Sequence, residues 1–380
     1  MMVKSNKSWI VLTFLTFLIV FGLTEPFPAE PQKKRIIMFS PTSKNNTYWP
    51  QVYRILEAAS EDLHIDFRHY KFSVEDRFAK HIEGVNILKE KPYADGAIFC
   101  VAFGQTRPLL KTADNLNIAT FIQGPLFESE LSELGGDARR TIQNWIGYFY
   151  QNEKEKGYLL GKTLINAAIS ENAYAESGMV NVVGVGGDHT WFGSKLRAEG
   201  LKKAVSEEPK AKLKQIVSTQ WSPSEGYQKT KLLLERYPQT SVVWAASDQL
   251  AIGAYQALQD GGKVLGETGF TGGLDMSKNG LKEVKNGNLV ATVSSTLFSY
   301  AEILIYLYDY LNDIDFKNET GTTIQTDIYI ANQKNAGRYL SLFNFFGKID
   351  FKNFSKAYNP QMKEYRFSME NYIKAAGITD

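Results

Sequence analysis

From Arg35 almost to Ile330, short apolar runs alternate with helix-length amphipathic stretches, and this rhythm constrains the fold more than any other feature. Arg35–Phe39 reads as a buried strand, and Tyr48–Leu63 carries Val52, Ile55, Leu56 and Ala59 at helical spacing. Ile65–Tyr70 is strand-like, Phe78–Lys89 helical, Gly96–Ala102 a strand, Leu109–Asn115 a short helix and Ile118–Ile122 a strand. Pro125–Thr141, with Gly135-Gly136 and several acids, breaks the rhythm and reads as an inserted loop. The pattern then restarts. Helices are expected at Lys154–Ala168, Leu196–Val205, Tyr227–Arg236, Leu250–Gln259, Leu281–Lys285 and Ala301–Leu311. Strands are expected at Val180–Val185, Leu213–Thr219, Val242–Ala246, Thr268–Gly272, Leu289–Val293 and Thr323–Ile330. Strands and helices in alternation imply crossover units and parallel sheets covered on both faces. Two such series predict an α/β chain of two doubly wound parallel-sheet lobes.

The ends of the chain depart from this rhythm. Lys4 and Lys7 precede an apolar run from Trp9 to Leu23, too short for a comfortable span of about 20 residues. With the small-residue exit near Pro28-Ala29, this reads as a secretory signal over residues 1–29, the rival being a retained anchor. The chain is then expected in the periplasm, beginning near residue 30. No Cys follows the apolar run, which excludes a lipoprotein anchor. Residues 341–380 carry Phe343, Phe345, Phe346, Phe351, Phe354, Tyr358, Tyr365, Phe367 and Tyr372. Rings at that density have to be covered, so this extension is expected to pack on a lobe.

A net charge of +2 points to no nucleic-acid partner. The single cysteine, Cys100, lies in a buried-strand pattern and allows no disulfide within the chain. HExxH, GxSxG and GxxxxGK[ST] are all absent, and Gly184–Gly187 lacks the context of a dinucleotide site. These absences argue against an enzyme and against any cofactor or metal. Twenty Tyr and six Trp suit a cleft that is half apolar and half wet. Ligands of parallel sheets sit beyond the carboxyl ends of the strands. Those ends here are Ser40–Trp49, Ala102–Gln105, Gln123–Gly124, Gly186–Trp191, Gln220–Ser222, Ser247-Asp248, Gly273–Asp275 and Ser294–Thr296. Their polar and aromatic residues fit a sugar: hydrogen-bonding groups for hydroxyls, flat rings for the ring face.

Several segments, in order, resemble the type I periplasmic binding proteins of the ribose/galactose class, which include the autoinducer-2 receptor. They are Ile36–Ser40 with Asn45–Trp49, Leu196–Gly200, Ala246–Ala254, and Gly272–Asp275 leading to Gly280 and Gly287–Val293. The resemblance covers about residues 35–335. It implies two lobes joined by a three-segment hinge, with crossings near Gly147–Asn152, Ser295–Leu297 and Thr326–Ile328. The first lobe would be 33–149 plus 297–326, and the second 150–295 plus 327–340.

The resemblance also implies a ligand site. Asn46, Tyr48 and Trp49 match ligand-touching positions, though Trp49 could instead open the core of its helix. Arg197 would lie in the cleft and donate to ligand oxygens; its replacement by Ala is then expected to weaken binding without unfolding the chain. Trp191 would wall the same site or pack on a neighbouring loop. Ser247 would contact ligand and Asp248 would cap the helix that follows. Asp275 would accept from hydroxyls or cap the helix around Leu281. Gln123-Gly124 stands where aldopentose binders carry an Asp-Arg pair, and Ser295 replaces the family's final cleft amide. The expected partners are a small sugar-like ligand and the membrane permease of an ABC importer. A membrane sensor kinase or cyclase receiving the closed form is the alternative.

Overall fold

The computed structural model describes residues 33–40, 48–71, 77–100 and 106–379. The expected signal segment and Asn46 lie outside these residues. Among the described residues no helix is long and apolar enough to cross a membrane.

The first βα series runs β1 (Arg35–Ser40), α1 (Tyr48–Asp62), β2 (Asp66–Lys71), α2 (Arg77–Leu88), β3 (Gly96–Phe99), α3 (Thr106–Asn115), β4 (Ala119–Gln123), α4 (Glu128–Glu133) and β5 (Trp145–Tyr150). The second runs α5 (Glu153–Ser170), β6 (Val180–Val185), α6 (Phe192–Ser206), β7 (Ala211–Val217), α7 (Pro223–Arg236), β8 (Thr240–Ala245), α8 (Asp248–Asp260), β9 (Phe270–Leu274), α9 (Lys278–Lys285) and β10 (Thr292–Ser294). The chain then returns through α10 (Ser299–Tyr310), α11 (Lys317–Thr320) and β11 (Thr323–Gln325), and crosses once more to β12 (Tyr329–Ala331). A tail follows, with α12 (Ala336–Phe345), two 3₁₀ turns at Phe346–Lys348 and Phe351–Phe354, and α13 (Met369–Ala375).

Two six-stranded sheets result, ordered β11-β5-β4-β3-β1-β2 and β12-β10-β9-β8-β6-β7. The first is parallel throughout. The second is parallel except where β12 runs antiparallel to β10. β6 and β8 are buried along their whole length, as strands covered on both faces must be. The polypeptide passes between the sheets three times: after β5, after β10 and after β11. Polar side chains tie these crossings together. Gln151 Nε2 donates to Ser299 Oγ at 3.4 Å, and the Ser295 and Thr326 hydroxyls meet at 2.5 Å.

Three readings of the sequence differ from the fold, the first being Pro125–Thr141, read as an inserted loop, which contains α4. Trp145–Tyr150 is a strand, where no element was read and the resemblance implied only a crossing near Gly147–Asn152. The Phe121 ring packs on that glycine so closely that a Cβ there would sit 2.2 Å from its edge. Thr323–Ile330 reads as one alternating strand, yet β11 joins the first sheet and β12 the second. Period-2 patterning cannot register a change of sheet.

Candidate functional site

Helices α5 and α6 cross with their backbones nearly touching. A Cβ on Gly157 would lie 2.1 Å from the Arg197 carbonyl oxygen, and one on Gly200 would lie 2.1 Å from that of Lys154. Only glycine permits this approach, and it sets the Arg197 side chain beside the first turn of α5. There Arg197 Nε donates to Glu153 Oε2 at 2.5 Å. Its Nη1 donates to the Ala246 carbonyl at the end of β8 (2.6 Å) and to Asp275 Oδ1 beyond β9 (3.1 Å). The guanidinium carbon stands 5.1 Å from the Trp191 ring and 5.9 Å from the Trp221 ring. Nη2 has no hydrogen-bond partner among the described residues, so two donors of the fork remain available.

The charges around Arg197 are paired. Glu153 also accepts from Lys156 Nζ at 2.9 Å, and Lys156 donates to Gln151 Oε1 at 2.6 Å, which carries the network back to the hinge. Burial works against the Glu153 carboxylate, but Arg197 and Lys156 outweigh it and hold its pKa below the usual range. Burial likewise opposes the charge on Arg197, and Glu153 and Asp275 overcome it, raising its pKa. For Lys156 burial wins over Glu153, and its pKa is lowered. Asp275 is pushed up to about 6 by burial, with Arg197 pulling the other way. Its φ of +107° is unusual for a residue with a side chain, the kind of local strain that clusters at ligand sites.

The first lobe faces this cluster with rings. Tyr48 and Trp49 stand at the start of α1. The Tyr48 hydroxyl donates to that of Tyr300 at 3.2 Å. Trp49 packs edge-on to Tyr48 and Tyr300 and stacks on Tyr53. Burial raises the Tyr48 pKa, and so does the carboxylate of Asp275 in the other lobe, so the two groups sense one another across the cleft. The lobes also touch directly. Phe127 stacks on Phe192 at 4.0 Å, and the Lys278 backbone N–H donates to Gln51 Oε1 at 3.0 Å. This is a closed arrangement.

A family model described as periplasmic binding protein domain matches residues 37–313. The chain belongs to the periplasmic binding protein domain family. Among curated relatives, the ribose import binding protein RbsB of Salmonella typhimurium is 27% identical over 136 residues, 36% of this chain and 44% of that protein. The match therefore spans less than half of the relative. Among solved structures, a periplasmic sugar-binding protein from Pseudomonas fluorescens superposes with a TM-score of 0.78 at 22% identity, covering 90% of this chain and 99% of that one. An ABC transporter periplasmic solute binding protein from Actinobacillus succinogenes 130z, with bound D-allose, gives a TM-score of 0.67 at 19% identity, covering 81% and 100%. At these identities the structural likeness establishes the fold.

On this periplasmic binding protein fold, the residues singled out from sequence separate into two groups. Tyr48, Trp49, Trp191, Arg197 and Asp275 converge on the cleft. Trp191 supports the Arg197 guanidinium. Ser277, not Asp275, caps α9 by accepting from Gly280 N at 3.1 Å. Ser247, not Asp248, caps α8, accepting from Leu250 N at 3.3 Å. Asp248 instead accepts from Ser277 N and Oγ at 2.7 and 2.8 Å; burial and the nearby Asp275 push its pKa up to about 7. The Ser295 hydroxyl is engaged by Thr326 in the hinge. Gln123 stands half-buried at the end of β4.

Reading by sequence missed Glu153, Lys156, Tyr300 and Trp221. Glu153 and Lys156 lie in a run, Glu-Lys-Glu-Lys, that looks like a solvated helix start. Trp221 did carry a signal, because it follows β7 at a strand end. A Cβ on Gly187 would lie 1.9 Å from its ring, so the glycine just before Asp188 is what leaves room for that indole.

Proposed function

We propose that this chain is a periplasmic solute-binding protein that closes on a small neutral polyhydroxyl ligand, a sugar, and delivers it unchanged to an ABC importer. The observation that carries this reading is the charge balance of the cleft. Arg197 and Lys156 are matched by Glu153 and Asp275. A carboxylated or phosphorylated ligand would bring an uncompensated charge into a buried site, which is costly. Hydroxyls donate and accept in turn, so they suit the Nη2 of Arg197, without a partner among the described residues, and the Asp275 carboxylate together. The rings of Tyr48, Trp49 and Tyr300 suit the less polar face of a sugar. The relative named for ribose import and the related structure holding D-allose support the same ligand class. Lys4, Lys7 and the apolar run Trp9–Leu23 support export.

The test is native purification followed by mass spectrometry of released small molecules, then calorimetry with D-ribose, D-allose, D-galactose and L-arabinose. One-to-one binding of a neutral sugar is expected. Binding confined to anionic compounds, or saturable conversion of a bound sugar, would overturn the reading.

A further inference from the structure

The tail after β12 belongs to neither sheet, and its contacts alternate between the lobes. It leaves the second lobe as α12, which lies on α9; Lys278 Nζ of α9 donates to Asn344 Oδ1 at 3.2 Å. Immediately after α12 the Phe346 ring sits 5.1 Å from the Arg54 guanidinium of α1, in the first lobe. Phe351 is fully buried there and donates its backbone N–H to the Asp62 carboxylate at 2.8 Å. Asp309, near the end of α10, accepts from four tail groups: Ser355 Oγ, Lys356 N, Ala357 N and the Tyr365 hydroxyl, at 2.5, 2.8, 3.2 and 2.9 Å. The chain then turns back over the hinge. Tyr372 of α13 donates to Glu302 at 2.8 Å and stacks on Phe298, just past the second crossing. Met369 N donates to the Tyr329 hydroxyl at 3.1 Å, just past the third. A bidentate pair of Arg338 with Glu370, both contacts 2.9 Å, fastens α13 to α12.

The consequence lies in the lack of slack. Only residues 346–350 separate α12, seated on the second lobe, from Phe351, buried in the first, and Phe346–Lys348 are wound into a 3₁₀ turn. Fully extended, such a segment reaches only about 17 Å, and wound it rises ~2 Å per residue. The lobes can part on this side only by unwinding that turn. Further opening has to lift α12 off α9 or draw Phe351 out of its core. A tail packed on one lobe alone would leave the hinge free.

We propose that residues 336–375 form a tether across the hinge that limits how far the two lobes open and so holds the ligand-free protein near its closed form. A narrower opening raises the fraction of molecules competent to bind. The proposal needs only that the lobes move about the three crossings; it does not depend on what the cleft holds.

The experiment lengthens the tether at its short 3₁₀ turn and leaves Phe351 and α12 in their seats. Six Gly/Ser residues are inserted after Gly347, where an added Cβ would meet nothing within 4 Å, and Glu370→Ala accompanies the insertion to unfasten α13 from α12. Spin labels go on Lys111→Cys in α3 and Lys202→Cys in α6, both exposed, and their separation is measured by pulsed electron resonance without any added sugar. Cys100 stays in place because it is buried and burial raises its thiol pKa. The insertion adds about 20 Å of reach. The expected result is a distance distribution that is narrow in the parent and shifts outward by about 5 Å or more in the insertion variant, with an unchanged melting temperature. Arg54→Ala with Asp62→Ala, two changes on α1, removes the Phe346 and Phe351 backbone contacts while Phe351 stays buried and Asp309 keeps its four bonds, so it is expected to widen the distribution less than the insertion does. Distributions that match the parent in the folded variants would overturn the proposal, whether or not the cleft proves to bind a sugar.

Discussion

The two walls of the cleft are built from different chemistry. The second lobe offers Arg197 and Glu153, both buried, with Asp275 partly exposed beside them, all paired and tied to the hinge through Lys156. The first lobe offers Tyr48, Trp49 and Tyr300, rings that contact one another and carry two hydroxyls. Charged groups in a buried site are costly to desolvate, and their cost is met when the second lobe folds. They then stand preorganised before any ligand arrives. Rings need no such preparation and gain by contact alone. Under the proposed function, the second lobe would orient the ligand hydroxyls and the first would seal the site.

The sharpest way to break this contrast is to remove the centre of the charged wall. From sequence, Arg197→Ala is expected to spare the fold. The buried network changes that expectation, because the substitution leaves Glu153 and Asp275 without their shared cation. Breaking a buried pair costs about 3–5 kcal/mol, and urea unfolding is expected to register a loss of that order. A change within ±0.5 kcal/mol, roughly that of an exposed residue, would contradict the network.

The ionisation of Asp275 sharpens the comparison next. Its pKa of about 6 in the fold lies above the ordinary carboxylate value. A raised acid stabilises the fold fully below that ordinary value, and this contribution is lost as pH rises through about 6. At neutral pH the ionised carboxylate therefore costs stability, by about 3 kcal/mol at most. Hydroxyls donating to it recover part of that cost. Affinity for a neutral sugar is thus expected to fall as pH drops from 7 to 5. Asp275→Asn is expected to bind weakly with a flat pH profile, and to melt higher than the parent at pH 7 without ligand. A parent affinity independent of pH would remove Asp275 from the binding wall.

On the aromatic side the expected effects are smaller. Trp49→Ala should lose about 0.5–1.5 kcal/mol of binding, the worth of an aromatic contact beyond its buried area, with no change in the pH profile. Ser247→Ala separates capping from ligand contact. As a cap it is expected to cost about 1 kcal/mol of stability and leave affinity unchanged, as calorimetry beside thermal melting would report.

Much of this architecture is legible in the sequence, for identifiable reasons. Val180–Val185 and Tyr48–Asp62 carry apolar periods that only one kind of element satisfies, so strand and helix are fixed locally. The segment Leu196–Gly200 announces Arg197 because its surroundings repeat a family pattern. Glu153 and Lys156 are invisible by the same means. Nothing local distinguishes a buried acid in a first helical turn from a solvated one, and their burial is created by Gly157 and Gly200 on two different helices. Ser247 and Ser295 show the converse. A hydroxyl beyond a strand end suits a ligand, a cap or a hinge contact equally well, and only the fold selects among them.

The most direct test of the contrast between walls is calorimetry of Arg197→Lys against the parent, using the neutral sugar recovered from the purified protein. Lysine keeps the charge that Glu153 and Asp275 require but lacks the rigid fork of donors. Stability is expected to stay well above that of Arg197→Ala, while affinity falls about tenfold to hundredfold, the equivalent of roughly 1.5–3 kcal/mol for a hydrogen bond to a charged group. An Arg197→Lys protein that binds the sugar as tightly as the parent would contradict the assignment of Arg197 as the group that orients it.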